Sequence, residues 1–375
     1  MSSFDSIRPY DDEEVAAAIA EHKDHPLFKG LLQFTFPEKS ADEIETILNG
    51  CHSIFDFQTK VIYHSVQQVV AKSSNGFSAS GFDKLKPEKA YLFLSNHRDI
   101  VLDTSFINVA LYDHNLIMTA SAIGDNLVQK SFLMALARLN RSFIVRRGQA
   151  PREMLKSSRL LSEYIQHLLD NKRSIWMAQR EGRTKNGDDR TQQGVLKMLA
   201  MNKGDLGTMK YLKSLDLVAV AISYEYDPTD ILKVPELVAK SEDLTYIKSS
   251  NEDFNSILRG AAGAKKRIHI HAEPIDSDVF NKIEGENISD NDKLQLLVKQ
   301  IDRAVHRGYK LWPSNYIAYD LYHGTTKFSQ HYTDKEKQVF ERRLLKRTDA
   351  SAPSAEPNFL LMYANPVINK LHLEG

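Results

Sequence analysis

The sequence predicts an α/β fold: a largely parallel mixed sheet flanked by helices, with extra helices at both ends of the chain. Three observations carry that expectation. From residue 90 onward, short apolar runs alternate with helical stretches of about 10–15 residues, the pattern of strands joined by crossover helices. Two of the runs, "LVAVAISY" (217–224) and "RIHIHAEPI" (267–275), read as further strands late in the chain. The chain has 375 residues, ample for a buried core and consistent with about one to three domains.

Taken in order, residues 12–23 and 41–72 read as helical. In the second stretch Val61, Ile62, Val66, Val69 and Val70 recur at helical spacing. "SSNGFSASGFDKLKPEKA" then breaks the pattern with Gly, Ser and Pro, which places a boundary near residues 75–82. "AYLFLS" (90–95) is a strand and 100–112 a helix. "NLIMTAS" (115–121) is a strand and 126–139 a helix. "RSFIV" (141–145) is a strand, 151–170 a helix, "RSIWMA" (173–178) a strand and 190–202 a helix. Strands at 217–224 and 267–275 enclose a mixed insertion at 229–265. The expected division is an N-terminal helical segment (1–79), an α/β domain (80–310) and a C-terminal helical extension and tail (311–375). Within the last part, "DKEKQVFERRLLKR" (334–347) suits either a solvated face or contact with anionic headgroups. "TDASAPSAEPN" (348–358) reads as a linker to a short apolar tail.

Composition excludes several classes. Formal net charge is zero, so no global field favours nucleic acid. A single cysteine, Cys51, forbids an internal disulfide and fits a reducing compartment. The start "MSSFDSIRPYDDEE" lacks a basic n-region and an apolar core. No run of about 18 apolar residues predicts a spanning helix, so action on lipids would have to proceed from the membrane surface.

The chemistry-bearing residues follow strand ends, where open α/β sheets bind ligands. His97 lies just past the first strand, in "LSNHRDIVLDTSF" (94–106). Imidazole is suited to general-base work near neutral pH, and an adjacent carboxylate can fix its tautomer. Asp99 can cap the next helix, and Asp103 falls in its first turn. Being four apart they share a helix face, and either could look back at His97. "ALARLNRSFIVRRG" (135–148) brings Arg138, Arg141, Arg146 and Arg147 around one strand, a composition suited to phosphate recognition. "QREGRTKNGDDRT" (179–191) joins Glu181 and Gly182 to Arg180, Arg183 and Lys185, without P-loop spacing. His269, His271 and Glu273 share a strand face, where a metal site or a half-exposed polar face would read alike.

In this order the stretches resemble the glycerolipid acyltransferases, the glycerol-3-phosphate and 1-acylglycerol-3-phosphate O-acyltransferases. The resemblance covers roughly residues 80–275. "GFDKLKPEKAYLFLSNHR" is similar to the lead into that family's catalytic histidine, "SFIVRRG" to its second block, "ISYEYDP" to its fourth, and "KRIHIHAEPI" to its late strand. Two departures are visible. The family usually has four residues between His and Asp; that position here is Leu102, and the aspartate follows at Asp103. "EGRTKNG" resembles the longer form of the third block with one glycine missing. An extra residue inside a helix would turn the later carboxylate by about 100 degrees. Absorbed in the turn before the helix, it leaves Asp103 as the partner of His97 and Asp99 as the cap.

The resemblance implies a fatty acyl transfer from acyl-CoA or acyl-carrier protein to a hydroxyl of glycerol 3-phosphate or a lysophospholipid, as in phospholipid biosynthesis. His97 would be the base and Asp103 its partner, with Asp99 nearby. Arg98, Arg146, Arg147, Glu181, Gly182 and Arg183 would bind substrate. No metal, cofactor or nucleic acid is expected. The expected partners are the acyl thioester as co-substrate, the glycerolipid acceptor and a membrane surface, on the cytoplasmic face of an inner membrane. The alternatives are a lyso-aminolipid acceptor, or a lipid-binding protein whose catalytic site has decayed.

Overall fold

The computed structural model describes residues 3–249, 251–349 and 352–374. Its centre is a seven-stranded sheet: β1 (Ser74–Ser80), β2 (Leu92–Ser95), β3 (Thr119–Gly124), β4 (Ser142–Val145), β5 (Ser174–Ala178), β6 (Leu217–Tyr224) and β7 (Lys266–Pro274), in the order β1-β7-β6-β2-β5-β3-β4. β2 pairs parallel with β5 and β6, and β3 pairs parallel with β4 and β5. β7 runs antiparallel to β6 and carries β1 parallel to itself. Five strands (β6, β2, β5, β3 and β4) therefore end at one edge of the sheet, and β2 is the central strand of the seven. The fold is α/β, with helices on both faces of a mostly parallel sheet.

Side-chain alternation explains the layers. Leu92, Leu94, Ile175, Met177, Leu217 and Ala219 face one layer, in which Leu161 and Ile165 of the helix Pro151–Asp170 and Leu297 and Ile301 of the helix Asp290–Gly308 are buried. Phe93, Trp176, Val218, Val220 and Ile222 face the other. There they meet Leu102, Phe106 and Ile107 of the helix Leu102–Asp113 and Val66 and Val69 of the helix Tyr63–Ser73. Because β2 and β6 are apolar on both faces, they occupy the interior of the sheet.

The structure departs from the sequence reading in several places. Ser74–Ser80, read as a break, is an edge strand, and the chain enters it directly from the helix Tyr63–Ser73. The stretch read as one helix over 41–72 is interrupted between Asn49 and Ile54 and contains a π turn at Gln58–Ile62. β3 begins four residues later than expected, because Asn115 turns with φ 56° at the end of the preceding helix. Helices at Pro26–Thr35, Thr208–Ser214 and Ser277–Gly285 were not anticipated. Residues 350 and 351 of the expected linker lie outside the described residues. The tail beyond them is a helix of 20 residues, Ala355–Glu374.

The basic helix Asp334–Arg347 is only partly a solvated face. Arg343 and Arg347 both turn inward onto the buried Asp230, at 2.7 and 3.0 Å, which removes them from any headgroup contact. Among the described residues, no helix is long and apolar enough to cross a membrane.

Candidate active site

β2 ends at Ser95, and the next four residues form the centre of the site. Asn96 is fully buried and extends the strand with its side chain. Its amide Nδ2 donates to the Ile222 carbonyl at 3.0 Å and its Oδ1 accepts from the Ile222 N–H at 2.7 Å. Nδ2 also donates to Asp189, at 2.9 Å. This fixes where the following residue leaves the sheet. The His97 ring sits edge-on to Trp176, with centroids 5.6 Å apart, and its side chain is 14% exposed.

Nδ1 of His97 donates to Oδ2 of Asp103 at 2.8 Å. The same oxygen accepts the backbone N–H groups of Arg98 (2.6 Å) and Asp99 (2.9 Å), and Oδ1 accepts from the Tyr224 hydroxyl at 3.1 Å. A carboxylate can only accept, so Nδ1 carries the hydrogen and Nε2 presents a lone pair. Nε2 has no hydrogen-bond partner among the described residues. Tyr224 stays a donor: burial, then the charges of Asp103 and Asp99, push its hydroxyl well above the usual value.

Asp99 serves the helix start. Its Oδ1 accepts the N–H groups of Val101 (3.0 Å) and Leu102 (2.9 Å). Its Oδ2 is buried without a partner, pressed beneath Gly260, where a Cβ would stand 2.1 Å from it. Burial, then the neighbouring Asp103, raises the Asp99 carboxyl above its normal range. The helix begins at Leu102, after the turn 98–101, with Asp103 facing His97 and Asp99 facing the backbone.

The four arginines of "ALARLNRSFIVRRG" are divided by β4. Arg138 stacks over Tyr10, and Arg141 is buried at the start of the strand, where burial and then Arg173 lower it to about 9. Neither reaches the carboxyl edge. Arg146 and Arg147 do, Arg146 exposed and Arg147 half-buried. Arg147 pairs with Glu181 at 2.5 Å, and its backbone N–H donates to Asp125 at 3.1 Å. Glu181 and Gly182 are exposed, Gly182 in the left-handed region at φ 69°.

Arg183 is 9% exposed; Nη2 donates to Ser256 Oγ at 3.2 Å and Nη1 has no partner. Thr184, next to it, donates its N–H to the His97 carbonyl at 2.8 Å, which ties the third motif to the first. Arg98 does not line the opening. Its guanidinium is 5% exposed and paired with Asp189 at 2.5 Å, so the structure makes it an internal brace, not a surface contact for substrate. Lys185 pairs with Glu236 at 2.6 Å.

His269 and His271 are elsewhere. His269 lies between the hydroxyls of Ser78 (2.8 Å) and Ser80 (3.0 Å), and His271 meets Ser80 at 2.8 Å. Glu273 is paired with Arg307. No group of three or more His, Cys, Asp or Glu side chains that could hold a metal occurs among the described residues. A surface concavity of about 640 Å³ adjoins His271, Glu273 and Arg307 but does not border His97.

Sequence reasoning missed Asn96, Asp189, Tyr224 and Ser256, which act across separations of 73 to 126 residues. Only Tyr224, at the end of "LVAVAISY", carried a signal: a polar tip closing an apolar strand.

A fully buried carboxylate thus orients the His97 imidazole at the carboxyl edge of the parallel strands, an arrangement chemically suited to general-base work. Residues 77–223 match the Acyltransferase family. The match is confined to that segment, which carries the motifs that resemble those of the glycerolipid acyltransferases. Comparison with curated protein sequences returns no match. Among solved structures the chain is similar to the 1-acyl-sn-glycerophosphate (LPA) acyltransferase PlsC from Thermotoga maritima. Identity is 12%, coverage is 79% of this chain and 92% of that one, and the TM-score is 0.39, a likeness too distant to carry an argument.

Proposed function

We propose that this chain moves a fatty acyl group from acyl-CoA or acyl-carrier protein to a hydroxyl of glycerol 3-phosphate or a lysophospholipid. The observation that carries the reading is the His97–Asp103 pair, with Nε2 open at the end of the central strand. Nε2 takes the proton of the acceptor hydroxyl as its oxygen attacks the thioester carbonyl. The new C–O bond forms, the C–S bond then breaks, and the departing thiolate receives the proton from the imidazolium. Asp103 holds the ring and stabilises its charged form.

Arg183 supports a phosphate-bearing acceptor, because Nη1 is buried without a partner and a phosphate oxygen would satisfy it. Arg146 and Arg147 would add charge at the rim. Glu181, neutralised in part by Arg147, would accept hydrogen bonds from glycerol hydroxyls beside Gly182. Arg98 is assigned to bracing the loop. The assembled pair argues against a decayed site.

Work at a membrane, on the cytoplasmic face, belongs to the same proposal. It is supported by exposed apolar side chains: Ile247 (86% exposed), Leu244 and Leu258 before and on the helix Glu252–Ala262, whose Ser256 accepts from Arg183, and Met154 and Leu155 on the helix Pro151–Asp170, which follows Arg146 and Arg147 in the chain.

The test is a matrix of thiol release. Acyl-CoA and acyl-carrier protein are each offered with glycerol 3-phosphate, a lysophospholipid and a lyso-aminolipid. Release that depends on a phosphate-bearing acceptor supports the proposal. Release only with the amino-lipid moves the acceptor, and vesicle binding without turnover on any pair refutes the activity.

A further inference from the structure

Beyond the matched segment, the chain builds a second set of contacts onto the catalytic turn. β6 is followed by a turn in which Asp227 Oδ1 accepts the N–H and the hydroxyl of Thr229, both at 2.8 Å. Lys233, on the helix Asp230–Ser241, is fully buried. Its ammonium donates to Asp227 Oδ2 and to the backbone carbonyl of Arg98, the latter at 3.0 Å. The N–H of that same Arg98 donates to Asp103. Lys233 and Asp103 thus hold the two ends of one residue, the one next to His97. A buried ammonium is a costly way to stabilise a fold, since an apolar side chain of similar volume commonly does as well. Its position is explained by the carbonyl it holds.

Two C-terminal helices close over this arrangement. From Asp334–Arg347, Arg343 donates to the Asp227 carbonyl at 2.8 Å and to Asp230 at 2.7 Å, and Arg347 reaches Asp230 at 3.0 Å. From Ala355–Glu374, the Tyr363 hydroxyl donates to Asp230 at 2.8 Å and accepts the Asp227 N–H at 3.1 Å. Asn365 of the same helix donates to the Asn186 carbonyl at 2.7 Å. A Cβ on Gly187 would stand 2.1 Å from the Met362 carbonyl, so the helix rests directly on the loop that carries Glu181 and Arg183.

We propose that Lys233 is a positioning residue for the His97 base, and that the helices Asp334–Arg347 and Ala355–Glu374 are the clamp that keeps Lys233 and the 181–189 loop in register with it. This rests on the reading of His97 as the base. Its consequence is that the C-terminal extension is part of the catalytic apparatus, although it supplies no group that meets substrate.

The experiment uses the full chain and measures kcat, acceptor KM and thermal midpoint for Lys233→Met, Tyr363→Phe and His97→Gln. A small displacement of a catalytic group costs up to about 100-fold, so Lys233→Met should lower kcat roughly 10- to 100-fold with KM within about twofold. Tyr363→Phe should lower kcat by roughly 3- to 10-fold with the same unchanged KM. Wild-type kcat in folded Lys233→Met overturns the proposal, as does a loss in which kcat and KM worsen together in step with the thermal midpoint. If Lys233→Met does not fold, Tyr363→Phe decides, and an unchanged kcat there overturns it. Activity retained in His97→Gln would instead overturn the underlying assignment of the base.

Discussion

His97 and His269 both sit on or just beyond the sheet with polar partners, and they are built differently. His97 stands past the end of the central strand, backed by a buried carboxylate that accepts four hydrogen bonds. His269 stands within β7, between two serine hydroxyls of the edge strand. A carboxylate favours the imidazolium that a base must become. Hydroxyls satisfy the neutral ring and offer no compensating charge. Burial, then Lys310 and His271, push His269 down to about 4, the opposite of what proton capture near neutral pH requires. On the proposed reading, a buried carboxylate hydrogen-bonded to Nδ1, more than the presence of a histidine on a sheet, separates the base from the scaffold.

That contrast can be broken at its strongest point by Asp103→Asn. The amide oxygen can take the place of Oδ2, but the amide carries no charge to stabilise an imidazolium and presents N–H groups to the Tyr224 hydroxyl where Oδ1 accepted. Thiol release should fall by roughly 10²- to 10⁴-fold, the range general-base catalysis contributes, while the fold persists in circular dichroism. A loss below about tenfold would make the two histidines equivalent in kind.

Gly260→Ala probes the packing behind the turn. The added methyl meets Asp99 Oδ2 at 2.1 Å, and overpacking of this sort typically costs about 1–3 kcal/mol. Chemical denaturation should register that loss, and an unchanged midpoint would show that the helix Glu252–Ala262 yields freely.

His269 should matter to stability in acid. Its folded-state value lies below the ordinary one, so the unfolded chain binds the proton more readily. The contribution is therefore complete above about pH 6.5, and is lost as pH falls toward 4. Because the ring is partly exposed, the effect is discounted to about 1–2 kcal/mol. Melting of His269→Gln across that window should be flatter than wild type.

Asp99→Asn should show the smallest effect. Burial raises the Asp99 carboxyl in the folded state, so ionising it near neutral pH opposes folding, and the amide removes that cost. Its oxygen still caps Val101 and Leu102. Activity should stay within about threefold and the melting midpoint at pH 7 should hold or rise. A drop matching that of Asp103→Asn would mean that Asp99 is the orienting acid.

The sequence was informative where local periodicity or chain adjacency did the work. The stretches 151–170 and 334–347 match helices of the structure, which open on Pro151 and on the Thr333 cap. His97, Asp99 and Asp103 fall within seven residues of one another, and their division of labour follows from where a turn can take up one residue. β1 was illegible because "SNGFSAS" is small and polar, and it is a strand only because β7 pairs with it. The inward turn of Arg343 and Arg347 depends on Asp230, more than a hundred residues earlier. Separating Arg138 and Arg141 from Arg146 and Arg147 needed the length of β4 between them.

The most direct measurement compares thiol release in His97→Ala and His269→Ala, with the same acyl thioester and phosphate-bearing acceptor. Loss of a general base predicts a fall of roughly 10²- to 10⁴-fold for the first, with the second within about twofold of wild type. Equal losses in the two variants, or turnover preserved in His97→Ala, would contradict the account.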